Sequence, residues 1–147
     1  MTTMRHDRQR RDRRTQRGQA LVEFSLALPI FLLMIVAVFD LGRGVYAYNG
    51  VSEAAREIAR ITATHVGNPI GTSAATVDRI DVQRNLTPGM GPPTFSCSDL
   101  YGAAVADADC TSGDYVKVTV TASYAPVSTL GMIGPVTLSS SSSVQVP

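Results

Sequence analysis

The sequence predicts an α+β protein: one long N-terminal helix, transmembrane and then amphipathic, followed by a small antiparallel β-sheet domain. Three observations carry that expectation. An apolar run without a single charge extends from Phe24 to Phe39, close behind an arginine-rich tail. Small apolar residues then recur at helical spacing from Val51 to Thr62. Past residue 67 the composition turns to Ser, Thr, Gly and Pro with β-branched residues, and "DYVKVTVTASYAPVS" alternates with a period of two. A chain of 147 residues has room for one modest domain and an anchor.

The tail comes first. Seven arginines (Arg5, Arg8, Arg10, Arg11, Arg13, Arg14 and Arg17) stand before Gly18 against Asp7 and Asp12, a net +5 that leaves −4 for the remainder of a chain whose total is +1. Such a tail suits an acidic surface, either nucleic acid or anionic lipid. No aromatic residue is interleaved for base stacking, and the arginines abut the apolar run, where a topology signal belongs. No nucleic-acid partner is therefore expected.

Ala20 to Leu41 is 22 residues, about 33 Å as a helix, against about 30 Å for a bilayer core. A soluble domain of this size has no shell to surround a helix that is apolar on every side. Only Arg43, Arg56 and Arg60 follow soon after the run, so the positive-inside rule puts the N-terminus in the cytoplasm and the bulk of the chain outside. A cleaved secretory signal fits poorly. Its apolar region is typically about 7–15 residues and ends at a small-x-small site, whereas this run is longer and exits through "VFDLGRGVYAY". Glu23 sits just inside the front edge. It is either an interfacial carboxylate or a partner charge held in the membrane, and the residues alone leave both open.

The stretch "RGQALVEFSLALPIFLLMIVAVFDLGRGVYAYNGVSEAAREIAR" closely resembles the TadE-like family, minor pilins or pseudopilins of the Tad (tight adherence) pilus system. The likeness rests on the "GQALVEF" entry, the proline-bearing apolar helix, "FDLGR" and the small-residue helix "VSEAAREIAR". It spans about a third of the chain, Gln16 to His65.

The resemblance implies a type IV pilin-like architecture and a prepilin-type leader, cut by a membrane aspartyl prepilin peptidase after Gly18. The mature chain would begin at Gln19, with Glu23 fifth and Phe24 sixth, and would keep its apolar helix. Glu23 would then pair with the new α-ammonium of a neighbouring subunit, a pairing strengthened by low dielectric. Implied partners are the peptidase, other pilin or pseudopilin subunits and the pilus assembly platform. The implied location is the bacterial cytoplasmic (inner) membrane, crossed once. TadG-like proteins share this entry and are usually longer, so an uncleaved scaffold of the same machinery is the alternative. A membrane-tethered enzyme or binding module is a third reading. The expected divisions are a leader over 1–18, a transmembrane helix over 19–42, an amphipathic extension over 43–66 and an outer β-rich domain over 67–147.

Within the helix, Pro29 removes the donor for the Ser25 carbonyl, which gives either a kink or a tolerated membrane proline. Asp40 and Arg43, spaced i, i+3, are expected to pair at the outer membrane exit. Gly42, Gly44 and Gly50 each weaken a helix by about 1 kcal/mol relative to Ala. Tyr46 and Tyr48 suit an interfacial belt. Val51, Ala54, Ala55, Ile58, Ala59 and Thr62 form one stripe, with Glu53, Arg56, Glu57 and Arg60 opposite. Alanines let another backbone come close, and the chain's own outer domain is the favoured occupant over another subunit.

In the outer domain Val116, Val118, Val120, Ala122 and Tyr124 share one strand face. "VTLSSSSSVQV" is the second strand, with Ser139–Ser143 as strand surface. Thr76–Val82 is either a third strand or a short helix, and "LTPGMGPPTF" is a loop. Cys97 and Cys110 would face an oxidising compartment, and a disulfide closing about 14 residues is worth roughly 3 kcal/mol. A metal site would need further ligands, yet His65 is the sole outer histidine and no Cys-x-x-Cys occurs. No G-x-S-x-G, phosphate loop or base–orienter pair is present, so neither catalysis nor a cofactor is expected. Asp107, Asp109 and Asp114 lack EF-hand order and suit a solvated loop.

Overall fold

The computed structural model describes the backbone of residues 3–127 and 134–147, and side chains from Gly18 onward. Its elements are α1 (Thr3–Thr64), α2 (Ala74–Leu86), β1 (Thr94–Ser98), β2 (Ala104–Val105), β3 (Tyr115–Tyr124) and β4 (Val136–Gln145). The chain divides into two compact units, Met1–Asp40 and Leu41–Pro147. The expected α+β architecture is present.

The first unit is helix. From Gly18 to Phe39 every residue is exposed, the large apolar ones included. Pro29 lies inside α1, and the helix continues through it. The lost donor at Pro29 is tolerable because a helix satisfies its remaining backbone groups internally.

The second unit is built on the alanine stripe. Val51, Ala54, Ala55, Ile58, Ala59 and Thr62 are all fully buried, and Ala63 with them. They face a four-stranded antiparallel sheet of order β2-β1-β3-β4. Val116, Val118, Val120 and Ala122 of β3 line the core together with Cys97 of β1. The favoured reading of the stripe holds, since the domain behind it takes it into its own core. Opposite the β3 valines, the register sets Ser142 beside Val118 and Ser140 beside Val120 on β4. These serines are half-buried, and the Ser52 hydroxyl donates to Ser140 Oγ at 3.2 Å.

α1 follows β4 in direction. A Cβ on Gly44 would stand 3.8 Å from the Tyr124 ring, and Tyr124 pairs with Val136 at the start of β4. Ser52, further along the helix, meets Ser140, further along the strand.

α2 is a helix, which settles the alternatives for Thr76–Val82. Ser73 caps it, its side chain accepting the Thr76 N–H at 3.3 Å. Thr76 is buried and hydrogen-bonds inward: its Oγ1 donates to Thr62 Oγ1 at 3.4 Å, and Thr62 donates to the Ile58 carbonyl at 2.8 Å. A β-branched residue that looked like strand is thus placed by a hydroxyl relay between two helices. Outside, Glu57 holds Arg60 (3.1 Å) and Arg79 of α2 (3.6 Å).

The stretch expected as loop is partly strand. Met90 makes a bridge to Ala122, and Thr94 and Phe95 open β1. The "TFSCS" alternation, with Phe95 and Cys97 turned inward, is too short to stand out behind Gly91, Pro92 and Pro93. Phe95 also explains Gly71, where φ is +85° and a Cβ would come within 2.6 Å of the Phe95 ring.

Two outcomes follow. Ile58→Ala empties the largest fully buried side-chain site and should cost about 2–5 kcal/mol, read by denaturant unfolding of the full-length protein in detergent. The Arg60 hydrogen bond lowers the Glu57 carboxyl below its usual value, with Arg60 and Arg79 charges adding to it against a smaller desolvation cost. That stabilisation is complete above the unfolded-state carboxylate range near 4.3 and is lost as pH falls through the folded value. Glu57→Gln should therefore flatten the acid limb of the stability–pH curve and lower neutral-pH stability by the same small amount, small because the pair is partly exposed to solvent.

Candidate functional site

The candidate site begins where α1 carries Gly18, Gln19, Glu23 and Phe24 along one helical stretch. All four are exposed, and nothing in the structure lies within 4 Å of a Cβ placed on Gly18. Gln19 and Glu23 are spaced i, i+4 and share a helix face one turn apart. Glu23 forms no ion pair among the described residues. Ser25, four residues before Pro29, donates its hydroxyl to the Val22 carbonyl at 2.8 Å, so this polar group is satisfied without water.

Further along, Phe31, Met34, Ile35, Val38 and Phe39 line a shallow groove on the helix surface with almost wholly apolar walls. Their spacing repeats at i, i+3, i+4, i+7 and i+8, a continuous apolar face. By length and composition α1 is the one described helix able to cross a membrane, and none of its most apolar window is buried. A soluble core helix would be covered there. Length, composition and exposure suit this helix to a single membrane crossing.

At the exit, Asp40 is buried while Phe39 and Leu41 on either side are exposed. Arg43 lies over the Tyr124 ring, 5.9 Å from its centroid. This cation–π contact ties the exit to the end of β3, and sequence reasoning missed it because it joins residues far apart in the chain. The only available signal was the phase of Tyr124 on the inward face of its strand, and Tyr124 is half-buried there. Tyr46 and Tyr48 are exposed, as a belt requires.

The second candidate element is the disulfide. Cys97 of β1 and Cys110 are bonded to each other, with Cα atoms 6.0 Å apart, and both are buried. Asp114 brings a carboxylate oxygen within 4.8 Å of both sulfurs. Bonded sulfurs offer no thiolate to a metal, and Asp114 already accepts the Thr111 N–H at 2.9 Å and its hydroxyl at 3.2 Å. The acidic loop is thus organised by its own turn. Asp107 and Asp109 are exposed.

With this geometry in place, the comparisons with known proteins fall on one segment. The family model described as TadE-like protein matches residues 18–60. The helix is TadE-like. No curated protein and no solved structure matches the chain. The match opens at Gly18 and ends inside the buried alanine stripe, so it covers the span, its exit and the first half of the core-facing helix. The similarity to the TadE-like family is thus confined to a segment of α1 that includes the helix long and apolar enough to cross a membrane.

Non-reducing peptide mass spectrometry of protein taken from the envelope should show Cys97 linked to Cys110. Replacing both by serine should cost about 3 kcal/mol in the outer domain, the entropy of opening a loop of this size, read by unfolding under the same detergent conditions.

Proposed function

We propose that the protein is a TadE-like minor pilin or pseudopilin that takes part in assembling a Tad-type pilus, serving adhesion or secretion. Its N-terminus is cytoplasmic, its outer domain extracytoplasmic, and it acts as a structural subunit rather than an enzyme. The observation that carries this reading is the family match opening at Gly18, on a helix whose apolar side chains are exposed as far as Phe39. A helix uncovered along this length has to be matched by lipid or by other helices, which is what a subunit loaded from the membrane needs.

Cleavage falls between Gly18 and Gln19. A peptidase at the membrane face must draw out the backbone it cuts. Glycine resists helix formation by about 1 kcal/mol relative to Ala and has no side chain to block approach. The new ammonium on Gln19 and the Glu23 carboxylate then lie one turn apart on the same face. Glu23 can accept the ammonium of an adjacent subunit and set the axial offset between packed helices. The arginine leader stays in the cytoplasm as a topology determinant. The peptidase, neighbouring pilin-like subunits and the assembly platform are the partners this role requires.

N-terminal sequencing of the membrane-bound form should begin at Gln19. Gly18→Leu should give an anchored protein about 2 kDa heavier, from 18 leader residues in a 15.6 kDa chain. Glu23→Ala should be cut normally yet fail to assemble, since a buried charge left without its partner costs about 3–5 kcal/mol. A start at Met1 would replace this reading with the uncleaved scaffold, and a start beyond Asp40 would remove the anchor from the mature protein altogether.

A further inference from the structure

The C-terminal domain has two unlike ends. β3 runs from Tyr115 at one to Tyr124 at the other, about 30 Å along the strand. At the Tyr115 end stand Asp99, which follows Ser98 opposite Tyr115, and Asp114, which precedes Tyr115, with Lys117 two residues into β3. At the Tyr124 end four stretches meet. α1 enters from Leu41 and passes Gly44 beneath the Tyr124 ring. Gly89 and Gly91 are bonded to Ser123 and Thr121. β3 runs out towards Val127, and Val136 opens β4 opposite Tyr124.

Charge is scarce at the Tyr124 end. Leu41–Ser52 holds Arg43 alone, and Leu86–Ser98, Ser123–Val127 and Gly134–Val136 hold no charged residue. Arg43 lies over the Tyr124 ring. The bordering carboxylates are placed elsewhere: Asp40 is buried, Asp81 holds Arg84 at 3.5 Å, and Glu53 stands nine residues past Gly44, about 14 Å along the helix. What this end exposes is apolar or aromatic. Leu41, Val45, Tyr46, Tyr48, Val127 and Val136 are each between 46% and 70% exposed, and a contiguous patch of such residues marks a surface with a partner.

Chain connection and composition select that partner. The apolar run closes at Leu41, and the polar layer of a bilayer extends about 5–7 Å beyond its hydrocarbon core. Gly44 is three residues on, about 4.5 Å of helix rise, and the Tyr124 ring lies against it, with Val136 paired to Tyr124. Aliphatic side chains, tyrosines and one arginine, with no carboxylate among the exposed groups, are the chemistry of a bilayer interface. Given a helix that spans the bilayer, we infer that the Tyr124 end of the C-terminal domain rests in the interfacial layer of the same bilayer, a second lipid contact beside the span that Val127 and Val136 enter. The end bearing Asp99 and Asp114 then faces away, as repulsion by anionic headgroups requires. None of this depends on cleavage at Gly18.

The chain has no tryptophan, so one introduced indole reports alone. Full-length protein carrying Val136→Trp is placed, one chain per disc, in nanodiscs of phosphatidylcholine and phosphatidylglycerol. The lipid is plain, brominated near the headgroups, or brominated near the chain ends. Fluorescence from position 136 should fall with bromine near the headgroups and resist acrylamide. Tyr101→Trp, in the exposed turn after β1, should respond to acrylamide and to neither brominated lipid. Phe31→Trp, inside the apolar run, should respond to bromine near the chain ends. Adding Val127→Asp to Val136→Trp should return the indole to acrylamide, with protein level and the Cys97–Cys110 link unchanged. If that variant fails to accumulate, Val45→Asp serves the same purpose. A Phe31→Trp protein untouched by either bromine overturns the membrane-spanning reading itself. With Phe31→Trp quenched by lipid, four results overturn the interfacial contact alone: acrylamide reaching position 136, shielding there from both quenchers by a protein cover, equal lipid quenching at position 101, or lipid quenching that survives both added carboxylates.

Discussion

The C-terminal domain depends on one contact, the seating of an alanine stripe on three valines. Ala54, Ala55 and Ala59 present almost no side chain and share one buried core with Val116, Val118 and Val120 of β3. The rest of the packing follows from that contact. β4 must offer small residues beneath the helix and does so with Ser140 and Ser142. α2 is joined to α1 by hydroxyl bonds through Thr62 and Thr76 rather than by large apolar side chains. Among the described residues no aromatic is fully buried, and Ile58 is the largest side chain that is. A core of small residues gains little from each side chain and depends on dense contact, so lost volume is felt sharply.

The same helix meets two solvents, and its composition changes accordingly. Before Leu41 it carries Leu, Ile, Phe, Met and Val on every side, all exposed. From Val51 it narrows to a one-sided stripe, with Glu53, Arg56 and Arg60 exposed opposite. In lipid every face must be apolar, because no water satisfies a polar group there. Against the sheet only one face need be. Between the two lie Gly42, Gly44 and Gly50, unfavourable to a helix by propensity. Two of them are explained by neighbours: the Tyr124 ring lies over Gly44, and the Thr87 side chain would be 3.3 Å from a Cβ on Gly50. Tertiary contact outweighs propensity at these positions.

Periodicity is what made most of this legible. The helical stripe and the β3 alternation were both long enough to declare their phase, and the buried residues are those the phase selects. β4 was found by its flanking valines. β1 and β2 were not found: five and two residues are too few for a period to emerge, and glycines and prolines precede β1. For Thr76–Val82 the sequence left strand and helix open, and the Ser73 cap and the buried Thr62–Thr76 bond belong to the helix. At the candidate site, the family resemblance marked Gly18, the front edge of the apolar run marked Glu23, and elimination marked Cys97 with Cys110. It could not mark Arg43 with Tyr124, since a contact across 81 positions leaves no local pattern.

The covalent and hydrogen-bonded reinforcements of the sheet gather on one side. The disulfide ties β1 to the loop before β3, and Asp99 holds the β1–β2 turn by accepting the Tyr101 and Ala103 N–H groups at 2.9 and 2.7 Å. Asp114 closes the next turn through Thr111. A two-residue edge strand cannot hold itself by pairing alone, so these constraints supply what β2 lacks. β4 depends less on such ties, because ten paired positions against β3 secure it from one side. A small domain stabilised in this way can leave its long edge open without losing its fold. The short edge is held by the disulfide and the Asp99 turn, and the long edge by its ladder together with the Ser52–Ser140 and Gln145–Gly113 hydrogen bonds.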